Sequence, residues 1–233
     1  MGNDILDSYS VDVPVSQWPQ RQEFVYDSWP GIEGATDMEF RLVYQGRLPA
    51  AGRSLTRNED KHRIRKTLHP QLRELWKADP RLRRYLRDRE SDRPDARLFI
   101  DIFADDYARC GYRFVPLIGG RGDEDACALD VLFLRRDQPG NLVSGGGDID
   151  NRIKVLLDAL RMPQECQEVA GQTPTSDEDP FYCLLKDDSL ITKLTIETDH
   201  LLTPLTDGEN IHDVHLIIGV KTISYGSYLR LHG

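Results

Sequence analysis

The chain has 233 residues, 39% of them hydrophobic and 30% charged, and a net charge of −9. That balance fits one soluble domain with a sizeable core. It excludes a membrane span, which needs roughly 20 consecutive apolar residues, and argues against indiscriminate coating of DNA.

Residues 1–36 are polar, interrupted by Pro14, Pro19 and Pro30, and show no sustained period. They read as an irregular acidic arm, with Trp18, Phe24, Tyr26 and Trp29 available to pack on the body. The opening MGNDILDSYSVDV lacks a basic stretch followed by an apolar one, so no secretory leader is expected and a cytoplasmic location is. The first 40 residues hold eight acids and a single base, Arg21. EFRLVYQG (39–46) alternates as a half-buried strand does.

From 53 to 97 the sign reverses, with 15 Lys or Arg against 8 Asp or Glu. Asn58 to Arg89 reads as helical, with breaks expected at His69-Pro70 and Asp79-Pro80. Ile64, Leu68, Leu72, Leu75 and Trp76 give it an apolar stripe, which makes Trp76 a core residue. Such a basic face is either solvated or in contact with phosphates. His62 and His69 are expected at its surface.

Residues 97–120 are ambiguous: RLFIDIF fits a strand or a helix start, and YRFVPLI looks extended. CALDVLFLRR (127–136) suits a central strand covered on both faces. QPGNLVSGGG is a loop, 150–162 a helix stopped by Pro163, and 163–180 a polar, acidic, mobile insertion. FYCLLKDDSLITKLTIET reads as strand, acidic break, strand, and VHLIIGVKTI as the last strand. Strands and helices mix, so the class is α/β or α+β, a small mixed sheet packed with helices. Cys110, Cys127, Cys166 and Cys183 lack metal-knuckle spacing and are expected as reduced structural thiols. His212 and His215 have no cysteine or acidic cluster of zinc spacing near them.

The chemistry gathers at GGGDIDNRIKVLLDAL (145–160). Ile153, Leu156, Leu157 and Leu160 form a stripe expected to face the core, and at about 100° per residue Asp150, Lys154 and Asp158 share the flank beside it. Asp150 or Asn151 suits the N-cap. Capping explains one aspartate and leaves the other without a structural task. A calcium EF-hand fails, because its fifth and sixth loop positions counted from Asp148 are Arg152 and Ile153. A nucleotidyltransferase pair belongs on a strand after a more distant Gly-Ser turn. A magnesium site needs a further carboxylate, and Asp187-Asp188 is the obvious donor. Asp130 and Glu197 stand in reserve.

DIDNRIKVLLDAL followed by LKDDSLIT resembles the RusA family of Holliday-junction resolvases, marked by Asp-x-Asp-Asn…Lys…Asp-Ala-Leu and a later Asp-Asp pair. The likeness spans roughly Cys127 to Thr198, and makes 37–233 a RusA-like nuclease domain. It implies that Asp148, Asp150 and Asp188 bind magnesium, with manganese as a possible substitute, and that Lys154 is catalytic. Asp187 would be supporting, Asn151 would orient a carboxylate or cap the helix, and Asp158 would pair with Lys154. Lys61, Arg65, Lys66 and Arg152 become the candidate contacts to nucleic acid. The expected protein is a homodimeric, magnesium-dependent endonuclease of branched DNA, in recombination or repair. Its length, acidic balance and extra segments depart from the compact resolvases. They leave open a same-fold nuclease of linear DNA or RNA in phage defence or a mobile element, and a non-catalytic adaptor.

Overall fold

Alternation along EFRLVYQGR makes β1 (Glu39–Arg47) an edge strand, antiparallel to β7 (Asp213–Ser224), with Val43 opposite Ile217. Strand β7 pairs antiparallel with β4 (Asp125–Arg135), and β4 pairs in parallel with β6 (Ile191–His200). The sheet order is therefore β1-β7-β4-β6. This computed structural model describes residues 38–49, 54–93, 95–120, 125–136, 148–202 and 212–224. The acidic arm, the 137–147 loop with its three glycines, and the side chain of Asp148 lie outside them.

Strand β4 is central in position but not covered on both faces. Leu129, Val131 and Phe133 are buried, whereas Ala128, Leu132 and Leu134 are half-buried and Asp130 is exposed. An apolar run shows that one face is buried; alternation in burial can persist beneath it. Register slips between Cys127 and Ala128, where Cys127 faces Ile191 but Ala128 faces Lys193, so Thr192 is the extra residue of a bulge. The Thr192 hydroxyl closes this bulge by donating to the Cys127 carbonyl at 3.1 Å.

A second sheet, in the order β2-β3-β5, joins β2 (Ala108–Arg109), β3 (Tyr112–Ile118) and β5 (Phe181–Leu185). All five side chains of β5 are buried. The ambiguous 97–120 stretch resolves into a helix, α3 (Phe99–Asp106), followed by β2 and β3. Among the described residues the fold is mixed α+β, with four helices packed with the two sheets.

Helix α1 (Ser54–Ala78) runs through Pro70 without the expected break. Leu68, Leu72 and Trp76 are buried on either side of the proline, and His69 is fixed from both sides. Its Nδ1 accepts the Tyr182 N–H at 2.9 Å, and its Nε2 lies 3.0 Å from the Asp177 carbonyl. The break at Asp79-Pro80 does occur. Asp79 caps the short α2 (Pro80–Arg83), accepting from the Arg81 N–H at 2.8 Å, and Pro80 supplies the helix with a preset φ.

His62 and His69 are buried rather than superficial, at 0% and 4% exposure. His62 hydrogen-bonds the Tyr112 hydroxyl at 3.1 Å and stacks near Phe181. Burial, helped by the positive charges of Arg65 and Lys66, pushes the His62 pKa down to about 4. Trp76 is fully buried against Tyr85, Phe103 and Tyr182.

The 163–180 segment is built into the body instead of hanging free. It forms short 3-10 turns at Cys166–Val169 and Ser176–Glu178, and Glu168 and Glu178 are both buried. Cys166 is disulfide-bonded to Cys110, so two of the four cysteines are not free thiols. Cys127 and Cys183 are free and buried, and burial raises both thiols. Among the described residues, no helix is long and apolar enough to cross a membrane.

Candidate functional site

The motif helix α4 (Asp148–Leu160) starts at Asp148, so Asp150 and Asn151 stand in its first turn rather than at its cap. That turn is the positive end of the helix, where carboxylates are stabilised. Val155, Leu156, Ala159 and Leu160 are buried, together with the side chain of Arg152. Ile153 and Leu157 do not join them. They are half-buried and line a cleft of about 550 Å³ between α4 and β6. The expected core stripe is thus split, with Leu156 and Leu160 inside and its other two members on the cleft.

The end of α4 is fastened to the end of β5. The Met162 N–H donates to the Leu185 carbonyl at 2.8 Å, and Arg161 bridges to Leu185. Two residues beyond β5, Asp187 caps a 3-10 turn, Asp188–Leu190. Its carboxylate accepts the Ser189 N–H at 3.0 Å and the Gln164 side-chain amide at 3.1 Å. These bonds, Ser189's first, hold the Asp187 carboxyl below the usual range. Asp187 is therefore spent on the turn, and the turn presents Asp188 to the cleft.

Asp150, Lys154 and Asp158 from α4, and Asp188 from the turn 30 or more residues later, all line this one cleft. Leu194, Ile196 and Thr198 of β6 form its opposite wall. Asp150, Lys154 and Asp188 are exposed. Among the described residues, neither Asp150 nor Lys154 makes an ion pair, and Asp188 reaches only Arg161, with Nε 4.0 Å away. The expected Lys154–Asp158 pair is absent among them. Asp158 is bound instead by Lys61 at 2.7 Å and Arg161 at 3.1 Å, both nearer the interior.

The reserve ligands lie elsewhere. Asp130 and Glu197 belong to the sheet face that alternates away from Leu194 and Ile196, opposite the cleft. Among the described residues, no three His, Cys, Asp or Glu side chains form a cluster of metal-binding spacing. The Asp148 side chain, one of the expected ligands, is outside that set.

Three of the four residues expected to touch nucleic acid are interior. Arg65, 2% exposed, donates to the carbonyls of Asp158, Arg161 and Glu168 at 2.7, 3.1 and 3.1 Å. It also pairs with the Glu168 carboxylate at 2.6 Å. Lys61 is occupied by Asp158, and Arg152 is 2% exposed. A charge already desolvated and paired cannot turn outward to a phosphate without stranding its partner. Lys66 keeps a side chain 31% exposed, yet pairs with Glu178 at 2.9 Å. Burial alone would raise the Glu178 carboxyl, but Lys66 and the Thr175 N–H hold it below its ordinary value.

Arg161 and Glu168 are the residues that sequence reasoning missed. Both are buried, and they join Arg65 and Asp158 in one ionic network beneath α4. The available signal was the acidic insertion itself, which supplies counter-charges to the basic helix. Comparison with protein-family models, curated proteins and solved structures returns no match for this chain.

Proposed function

We propose that the chain is a magnesium-dependent endonuclease akin to the RusA resolvases, hydrolysing phosphodiester bonds in branched or structured DNA. The reading includes a homodimer in the cytoplasm, serving recombination or repair. One observation carries it: Asp188, distant in sequence from Asp150 and Lys154, joins them at a single cleft, and among the described residues the three lack strong protein partners.

The donor set fits a hard divalent cation, since it consists of accessible carboxylate oxygens whose mutual repulsion a cation relieves. Asp150 and Asp188, with Asp148, would hold it. When bound, such an ion polarises a phosphate and activates the attacking water. Lys154 supplies the positive charge that meets the phosphoryl oxygens as negative charge grows on them. Asp187 keeps the Asp188 turn in place.

The test is a panel of labelled four-way junction, fork, linear duplex and RNA, incubated with magnesium. Branched DNA is expected to be cut, with at least a hundredfold loss for Asp150→Asn and complete loss in chelator. No cleavage of any substrate, or undiminished cleavage by the variant, overturns the reading. The burial of Lys61, Arg65 and Arg152 favours one second reading, a nuclease of the same constellation that does not grip several duplex arms and acts on linear DNA or RNA. The same panel separates the two.

A further inference from the structure

The cleft's charged rim accounts for phosphate chemistry but not for its walls. Ile153 and Leu157 on one side and Leu194 and Ile196 on the other are aliphatic, and Leu194 is 37% exposed. Apolar surface left open to water forgoes a stabilisation that burial would recover. A phosphodiester offers nothing to recover it, because its oxygens are polar and charged. The bases of an intact duplex offer little more, since their faces are already stacked on each other. An unstacked base presents two apolar faces and a heteroatom edge, which suits a slot with aliphatic walls, Thr198 at one end and charges along the rim.

Two further observations favour that occupant over a duplex arm. The cleft's volume of about 550 Å³ falls within the roughly 300–1,000 Å³ range of sites for small molecules, not of a surface that seats a double helix. Of the side chains expected to grip duplex phosphates, Lys61, Arg65 and Arg152 are committed to the interior. Among the described residues that line the cleft, Lys154 is the one cation. Binding that lacks many phosphate contacts has to draw on another source.

We infer that the cleft between α4 and β6 takes an unstacked nucleotide, its base between Ile153/Leu157 and Leu194/Ile196 and its phosphate at Lys154 and the aspartates. The inference rests on the nuclease reading and deepens it. Selectivity for structured DNA then arises from the nucleotide that a branch point, flap or gap frees from stacking. Extrusion is costly from a paired duplex and least so where the base is already unpaired, so intact duplex is disfavoured without any clash.

The experiment places 2-aminopurine, whose fluorescence is quenched by stacking, at the branch point of a flap or, separately, within its duplex arm. The full-length protein is titrated in with calcium in place of magnesium to slow cleavage. Binding is expected to raise emission severalfold at the branch point and leave the arm probe unchanged. The double variant L194A/I196A is expected to lose that rise and bind the flap about tenfold more weakly. Both residues lie on an open wall, and a circular-dichroism melt checks that the variant is folded. Binding and cleavage without a fluorescence rise overturn the inference and leave the nuclease reading intact. The same holds if light scattering shows that L194A/I196A turns a dimer into a monomer, since a second copy then fills the cleft. A wild-type protein that neither binds nor cuts any substrate removes both.

Discussion

Asp158 and Asp150 stand about two turns apart along one flank of α4, yet their surroundings are opposite. Asp158 lies between Lys61 and Arg161, at the margin of a network that continues through Glu168 to Arg65. Asp150 is exposed, with Lys154 one turn away and Asp188 lining the same cleft. In the first group every charge has an ion-pair partner, with two carboxylates shared among three cations. The second has an excess of carboxylates over cations and little within the protein to offset it. Matched charges at low exposure fix helices against each other. Unmatched charges on an accessible wall do no such fastening, which is what makes the cleft a candidate site.

The largest break in this contrast comes from Glu168→Ala. It leaves Arg65 and Arg161 buried without their shared counter-ion, and a loss of roughly 3–5 kcal/mol is expected in urea unfolding. Cys166→Ser releases the tie to Cys110 across 56 residues of chain, and a loss of about 2–4 kcal/mol is expected by the same method.

The imidazole of His62 sharpens the comparison through pH. Its folded pKa is depressed to about 4 from an ordinary 6.5, so the unfolded chain binds more protons between those values. Stability is therefore complete above pH 6.5 and is lost as pH falls toward 4, by about 2 kcal/mol at pH 5. His69, whose pKa is lowered by burial, acts in the same direction. In the variant His62→Gln the slope of unfolding free energy over that window should flatten. An unchanged slope would assign the effect to other groups.

The smallest effects belong to the cleft. Asp150→Asn and Lys154→Ala should each change stability by less than about 0.5 kcal/mol, since among the described residues neither group has an ion-pair partner to strand. In the same variants manganese binding, followed by the electron paramagnetic resonance of the free ion, should weaken for Asp150→Asn. A stability loss of several kcal/mol in either variant would put the cleft in the same class as the buried network.

Much of the fold was legible because it depends on local period. Strands β1, β4, β5, β6 and β7 and helix α4 fall where alternation or an i, i+3, i+4 pattern puts them. The candidate site was legible at Asp150, Lys154 and Asp188, which line one cleft, for a different reason: their spacing is hard to explain by packing alone. What stayed hidden depends on partners far along the chain. Nothing near Arg65 announces that it will bind the backbone 93 to 103 residues later. His62 and His69 read as surface residues because Tyr112, Phe181 and Tyr182 come from distant strands. Ile153 and Leu157 read as core because a period shows which residues share a face, not whether anything is packed against it.

The bulge at Thr192 decides what the cleft is made of. Side chains on a strand alternate, so one additional residue exchanges the two faces of everything after it. Were Thr192 paired in regular alternation after Ile191, the wall opposite α4 would carry Lys193, Thr195 and Glu197. With Thr192 bulged out of the pairing, the wall carries Leu194, Ile196 and Thr198. Thr192 works like an inserted letter that shifts a reading frame: the same ten-residue strand spells an ionic wall in one frame and an aliphatic one in the other.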